Sequence, residues 1–85
     1  YAEYRVRSTD IDVGGHMNNT AYVRMIMGSL SNEEREALTI RRMDVIFRAS
    51  CYEGDVLSFR RKETEDGLDI RVSRGEETVL LVRIR

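Results

Sequence analysis

The alternation of apolar and polar residues predicts an antiparallel sheet in the second half of the chain. Met43, Val45 and Phe47 share one face of a predicted strand, with Asp44 and Arg48 on the other face. Alternation at period two also predicts strands over Tyr4–Arg7, Asp55–Thr64, Leu68–Ser73 and Thr78–Arg85. The short turns 65–67 and 74–76 each contain a glycine, so the last three strands form a meander.

Between the first two strands the period changes to that of a helix. The segment Tyr22–Leu30 is apolar nearly all round, with Arg24 as its one charged residue, and Asn18, Asn19 or Thr20 can cap it. Such a helix is expected to be wrapped by the rest of the fold and not to lie on its surface. The segment 31–34 reads as a capping box that opens a short polar helix to about Leu38. The order of elements predicts an α+β fold in which one antiparallel sheet wraps around one long apolar helix.

Length and composition predict a single small domain over residues 1–85. A chain of 85 residues with 41% hydrophobic residues and a net charge of -1 folds, but its core is marginal unless a partner covers it. The sheet edges therefore favour pairing with a second copy or a sister domain. No apolar run is long enough to span a membrane, and the lone Cys51 excludes an internal disulfide or a cysteine metal cluster. A reducing, cytoplasmic location is expected, with no cofactor or metal.

Arginine dominates the basic residues, since Lys62 is the one lysine among 14 basic side chains. Most of these arginines lie in the strand-rich second half. One interpretation is a solvated sheet face whose arginines are interleaved with acids. The other is a docking patch for an acidic partner or a phosphate-bearing cofactor. Nucleic acid is disfavoured, because the chain is not basic overall and no stacking aromatics accompany the arginines.

The segment from Asp10 to Tyr22 concentrates the chemistry of the chain. Asp12 and His16, the one histidine, lie four residues apart beside the pair Gly14 and Gly15. An acid, an imidazole and the free amides of a helix start can supply a base, an orienting group and an oxyanion site. Both side chains also have structural interpretations, as a turn former and as a packed histidine. We expect Asp10 to be the structural member of the acid pair.

The strand, the pattern Asp-x-Asp-x-x-Gly-His-x-Asn-Asn-x-x-Tyr, the apolar helix and the later pair Gly54-Asp55 resemble the hotdog-fold thioesterases. The resemblance covers nearly the whole chain. It is closest to the acyl-acyl-carrier-protein (acyl-ACP) thioesterases and the related 4-hydroxybenzoyl-CoA thioesterase group. It implies the second, catalytic repeat of a tandem pair of hotdog domains, acting in lipid metabolism and fatty acid biosynthesis.

The resemblance also implies residue roles. Asp12 matches the catalytic aspartate of the family and His16 the histidine of its Asp-x-Asn-x-His motif. Two positions depart from the family: Gly14 replaces an asparagine, and Ser50 replaces a glutamate thought to position water. Cys51 corresponds to a cysteine once interpreted as a nucleophile, and we expect it to be structural. The expected substrate-binding residues are Gly14, Gly15, Asn18, Asn19, Tyr22, Ser50 and Cys51.

These observations leave two functional hypotheses. The first is hydrolysis of an acyl thioester on ACP or coenzyme A to a free carboxylic acid, in a cleft where Asp12 and His16 converge at the amino end of the helix. The alternative is a catalytically impaired hotdog domain that binds acyl chains or serves as an assembly module. The apolar helix residues Met25, Ile26, Met27 and Leu30 would line an acyl channel or belong to the core.

Overall fold

The computed structural model describes residues 3–37 and 41–85. The predicted end of the second helix at Leu38 and the point near Thr39 where the period changes lie outside the described residues.

The described residues form one five-stranded antiparallel sheet with two helices. The strands are β1 (Glu3–Arg5), β2 (Met43–Phe47), β3 (Val56–Thr64), β4 (Gly67–Arg74) and β5 (Glu77–Ile84), in the spatial order β1-β3-β4-β5-β2. The helices are α1 (Asn19–Gly28) and α2 (Asn32–Ala37). The predicted meander is confirmed, because β3, β4 and β5 pair consecutively.

The inner face of the sheet carries the predicted alternation. Leu68, Ile70 and Val72 of β4 lie opposite Ile84, Val82 and Leu80 of β5, and all six are buried. Because neighbouring strands place the same face inward, the apolar residues of both strands join the helix in one core. A register shift at Val72/Ser73 lets Val79 become fully buried as well.

The first strand is shorter than the predicted Tyr4–Arg7. β1 ends at Arg5, and a 3-10 turn over Ser8–Asp10 follows, which the sequence pattern does not reveal. The Asp10 carboxylate causes this bend, because it accepts hydrogen bonds from the Arg7 amide at 2.9 Å and the Tyr4 hydroxyl at 2.7 Å.

Helix α1 begins three residues earlier than the apolar run and is covered on one side. Asn18 caps it, since its side-chain oxygen accepts the Ala21 amide at 2.8 Å. Ala21, Tyr22, Met25 and Ile26 are buried. The predicted α+β fold, an antiparallel sheet packed around one apolar helix, is confirmed, and because the sheet is open, Val23 of α1 stays 43% exposed.

Helix α2 confirms the capping box. The Ser31 hydroxyl accepts the Glu34 amide at 3.1 Å, and the Glu34 carboxylate accepts the Ser31 amide at 2.9 Å. Glu34 also forms an ion pair with Arg61 of β3, which attaches this polar helix to the sheet.

Strand β2 forms one edge of the sheet, and its apolar side chains are only partly covered. Ile46 is 55% exposed and Phe47 47% exposed, although the Phe47 ring packs edge-on against Tyr22 of α1 with centroids 5.2 Å apart. No helix within the described residues is long and apolar enough to cross a membrane.

Gly67 begins β4 where the backbone of β5 passes very close, so this position tests the packing of the meander. A Cβ atom there would clash with the Ile84 carbonyl oxygen. We expect Gly67→Ala to lower the free energy of unfolding by about 1–3 kcal/mol, measured by urea denaturation, because backbone must move. Gly75→Asn is the control. The φ angle of Gly75 is +60°, which suits asparagine, and no atom lies near the position of an added Cβ, so this variant should lose much less free energy of unfolding. Equal losses in both variants would contradict the close approach.

Candidate functional site

The loop between Asp10 and Asn18 is closed by backbone pairing at its base. Ile11 and Met17 form an isolated antiparallel bridge. Inside it, the Asp12 amide donates to the His16 carbonyl at 3.1 Å and the Gly15 amide donates to the Asp12 carbonyl at 3.0 Å. The five residues 12–16 therefore form a tight turn rather than a loose connection. This turn holds Asp12 and His16 on the same side of the loop.

Asp12 and His16 meet as the sequence predicts. The Asp12 Oδ1 and His16 Nδ1 atoms are 3.8 Å apart, within the range of an ion pair when the imidazole is protonated. Their side chains are 38% and 49% exposed, so the pair is open to solvent and to an incoming ligand. The Gly14 amide donates to Asp12 Oδ1 at 2.8 Å and fixes the carboxylate against the turn.

Gly14 packs against both members of the pair. A Cβ atom at this position would lie 3.1 Å from Asp12 Oδ1 and 3.3 Å from the His16 ring. The φ angle of Gly14 is not positive, whereas Gly15 has a φ of +84°. Glycine at position 15 therefore allows the positive φ angle of the turn, and glycine at position 14 leaves room for the side chains of Asp12 and His16.

Asp10 is the structural acid, as expected. It is 2% exposed, and besides Tyr4 and Arg7 it faces Arg24 at 3.6 Å. Its backbone carbonyl accepts both the amide and the side-chain amide of Asn18, at 3.0 and 3.1 Å. Asp10 thereby joins the strand side of the loop to the cap of α1.

The start of α1 presents free donors. The Asn18 side-chain oxygen accepts a hydrogen bond from the Ala21 amide, and the Asn18 backbone carbonyl accepts one from the Tyr22 amide at 3.2 Å. The amides of Asn19 and Thr20 have no acceptor within residues 3–37 and 41–85. These donors follow His16 by three and four residues and lie at the positive end of the helix dipole.

Cys51 and Tyr22 form a buried connection behind the loop. The Cys51 amide donates to the Tyr22 hydroxyl at 3.1 Å, and the Cys51 carbonyl accepts the Met17 amide at 2.8 Å. Burial raises the pKa of the Cys51 thiol, and burial together with the hydrogen bond to Cys51 raises the pKa of Tyr22. Both side chains are shielded from solvent, which suits a structural role better than contact with a substrate.

Ser50 lies beside an ionic cluster that the sequence did not reveal. Its side chain is exposed, and its carbonyl accepts a hydrogen bond from Arg74 at 2.9 Å. Arg74 also forms ion pairs with Asp55, at 2.8 Å, and with Glu77. Burial opposes ionisation of Asp55, but the Tyr52 amide and Arg74 outweigh it and lower its pKa. Both carboxylates of this cluster, those of Asp55 and Glu77, are thus paired with Arg74.

The expected cleft at the amino end of α1 is not one of the two hollows described in residues 3–37 and 41–85. A hollow of about 720 Å³ lies on the face of the sheet away from α1, and one of about 330 Å³ lies beside Asp10 and Met25. Asp12 and His16 line neither. Ile26 and Leu30 are in the core, and Met27 is half-buried against it. The acid and imidazole therefore converge on an open surface.

A five-stranded antiparallel sheet packed on one apolar helix, with an acid and histidine loop at the helix start, defines the hotdog class of thioesterase-like domains. The family model of the acyl-ACP thioesterase C-terminal domain matches residues 1–83. The chain belongs to this family. No curated protein sequence gives a significant match.

Solved structures agree with the fold. An acyl-ACP thioesterase from Bacteroides thetaiotaomicron superposes with a TM-score of 0.89 at 30% identity, covering 98% of this chain and 35% of that one. A 1,4-dihydroxy-2-naphthoyl-CoA thioesterase from Synechocystis superposes with a TM-score of 0.78 at 17% sequence identity, covering 96% of this chain and 75% of that one. A probable thioesterase from Escherichia coli superposes with a TM-score of 0.78 at 18% sequence identity, covering 96% of this chain and 76% of that one. The last two show the fold alone, and the chain spans about a third of the Bacteroides enzyme.

The burial of Cys51 predicts a thiol that is slow to react. We expect iodoacetamide to label Cys51 in the native protein at least about tenfold more slowly than in urea-unfolded protein at the same pH, because little thiolate is present and access is blocked. Mass spectrometry of the alkylated protein measures both rates. Equal rates would show that the thiol is accessible and would reopen its interpretation as a nucleophile.

The crowding around Gly14 predicts that an added methyl group separates the acid from the imidazole. We expect Gly14→Ala to leave the fold intact, because both neighbours are exposed side chains that can move, and to increase the distance between Asp12 and His16. A crystal structure of the variant measures that distance. An unchanged separation would show that the turn does not depend on glycine there.

Proposed function

We propose that this domain takes part in the hydrolysis of an acyl thioester to a free carboxylic acid, with Asp12 and His16 as its catalytic residues. The observation that carries the proposal is the approach of the Asp12 carboxylate to the His16 imidazole, 3.8 Å apart in a turn directly before the helix. Family membership and the name of the Bacteroides relative support the acyl-ACP form of the substrate over acyl-CoA.

Each part of the loop has a role in this chemistry. Asp12 acts as a general base that takes a proton from water, or as a nucleophile, at the thioester carbonyl carbon. His16 orients the attacking group or polarises the carbonyl. As the new C–O bond forms, negative charge develops on the carbonyl oxygen, and the free amides of Asn19 and Thr20 are suited to stabilise it. The C–S bond then breaks, and in the general-base route the thiol leaves with the proton that Asp12 took from water. In the nucleophilic route the thiolate leaves and takes its proton from solvent, and water then hydrolyses the mixed anhydride on Asp12 to free acid and carboxylate.

The proposed site also needs a second hotdog domain, either a sister repeat in the same protein or another copy of this one. Asp12 and His16 are exposed and line neither of the two hollows described in residues 3–37 and 41–85, so we expect another surface to complete the acyl cleft. The edge strand β2, with Ile46 and Phe47 partly exposed, offers free backbone groups for such pairing. This chain covers only 35% of the Bacteroides enzyme, which leaves room there for further domains.

The rival proposal is a domain that binds acyl chains without turnover. It is favoured by the surroundings of Ser50, where the family pattern has a glutamate. Asp55 and Glu77 lie close by but are paired with Arg74, so neither is a free base to replace that glutamate. Binding of an acyl ligand with no release of thiol would support this alternative.

Thiol release distinguishes the two proposals. The intact natural protein is incubated with acyl-ACP and with acyl-CoA, and free thiol is measured with a chromogenic disulfide reagent. We expect hydrolysis, and we expect Asp12→Asn to reduce kcat on the order of a hundredfold or more, because the amide cannot accept the proton or attack the carbonyl.

The matched control is Asp66→Asn, which makes the same chemical change in the exposed turn between β3 and β4. It should retain full activity. Undiminished turnover by Asp12→Asn would remove the proposed mechanism, and higher kcat/KM for acyl-CoA than for acyl-ACP would reverse the proposed substrate preference.

A further inference from the structure

The outer face of the sheet, turned away from α1, carries a concentration of positive charge that the proposed function does not use. Cross-strand register places Arg60, Arg71, Leu81 and Ile46 in one row and Lys62, Asp69, Arg83 and Asp44 in the next. These two rows line a hollow of about 720 Å³, here called the basic hollow. None of the residues that line the basic hollow belongs to the loop of Asp12 and His16.

The two acids of the basic hollow lie across the strands from Lys62 and Arg83, but they form their ion pairs with arginines outside it. Asp44 is paired with Arg42 at 3.0 Å, and Asp69 is paired with Arg85 at 3.0 Å. Within the two described ranges, 3–37 and 41–85, no carboxylate lies within ion-pair distance of Arg60, Lys62, Arg71 or Arg83. Four exposed cations therefore face solvent on one side of a chain whose net charge is -1.

The placement of Arg60 and Arg71 is unfavourable for the fold taken by itself. They are direct cross-strand partners on β3 and β4, and like charges in that position repel. An exposed sheet face that served only solubility would gain from an acid at one of the two positions. An anionic group seated between the two guanidinium groups removes the repulsion and gains charge-assisted hydrogen bonds.

Apolar side chains continue the same row. Leu81 follows Arg71 across the sheet and Ile46 follows Leu81, and Ile46 is 55% exposed. Three of the four cations thus lie on β3 and β4, and the fourth, Arg83, lies on β5 in the next row. The two aliphatic side chains lie on β5 and β2. The complementary ligand surface is an acidic stripe beside an apolar stripe. A nucleic acid is a poorer match, because no aromatic side chain lines the hollow for base stacking.

The dimensions suit a helix. Four strands at about 4.8 Å spacing span roughly 14 Å, and an α-helix with its side chains is about 10 Å across. An amphipathic helix can place acidic residues along one edge of its contact face and leucine-like residues along the other. We propose that the basic hollow is a docking surface for an acidic amphipathic helix of a protein partner.

Fluorescence anisotropy tests this proposal with the intact natural protein. The probe is a labelled helical peptide of about 18 residues with glutamates on one side of its contact face and leucines on the other. A peptide of the same composition in scrambled order is the first control. We expect saturable binding of the helical peptide only, weakening as salt screens the charges.

The variant Arg60→Gln/Arg71→Gln removes both opposed charges and keeps side-chain length. We expect it to weaken binding on the order of tenfold, while its thermal midpoint stays the same or rises because the repulsion is gone. The matched control is Arg5→Gln/Arg35→Gln, which makes the same change in net charge at two exposed arginines outside the hollow. It should bind as the parent does.

Three results would overturn the proposal. They are equal binding by the Arg60→Gln/Arg71→Gln variant, equal binding of the scrambled peptide, and failure of the helical peptide to bind while a DNA duplex or a phosphatidylserine vesicle binds. Circular dichroism of each variant confirms that it is folded. This experiment measures peptide binding and not thiol release. A negative result therefore does not contradict the hydrolase proposal, and absence of hydrolysis does not contradict the docking proposal.

Discussion

The buried Asp10 is the constraint on which the loop depends. Its carboxylate holds Tyr4 and Arg7 on the strand side, and its backbone carbonyl holds Asn18, the residue that caps α1. A carboxylate that is 2% exposed needs these donors, because an unpaired buried charge is strongly destabilising. Meeting that need brings the two ends of the loop together. The turn that presents Asp12 and His16 is thus a consequence of satisfying a different acid.

The sequence predicted the elements well where periodicity and caps act locally. The alternation in β4 and β5 fixed the inner face, and the capping box at Ser31 and Glu34 was found in place. The bend after β1 was missed, because it comes from the side chain of Asp10 and not from turn residues. The exposure of Val23 on α1 was not predicted, because an apolar pattern does not tell which side of a helix the sheet leaves uncovered.

The candidate site was predictable in part for a similar reason. Asp12 and His16 are four residues apart, so the chain itself brings them together. The cluster of Arg74 with Asp55, Glu77 and the Ser50 carbonyl joins separate segments of the chain, so no residue spacing in the sequence predicts it. The cleft could not be predicted from the spacing of residues, since Asp12 and His16 are exposed and line neither of the two described hollows. Gly14 and Ser50, where the family pattern differs, are the positions at which experiment is most informative.

The contacts of Cys51 have a consequence for the order in which the domain assembles. Its amide reaches a tyrosine 29 positions away, and its carbonyl supports the residue after His16. Closing so long a segment costs entropy that local contacts do not recover. The acid and histidine turn therefore gains its full support only after the β2–β3 connection has docked. Transient release of that connection would loosen the turn while leaving the meander intact, so hydrogen exchange at the Met17 amide reports how long the approach of Asp12 to His16 persists.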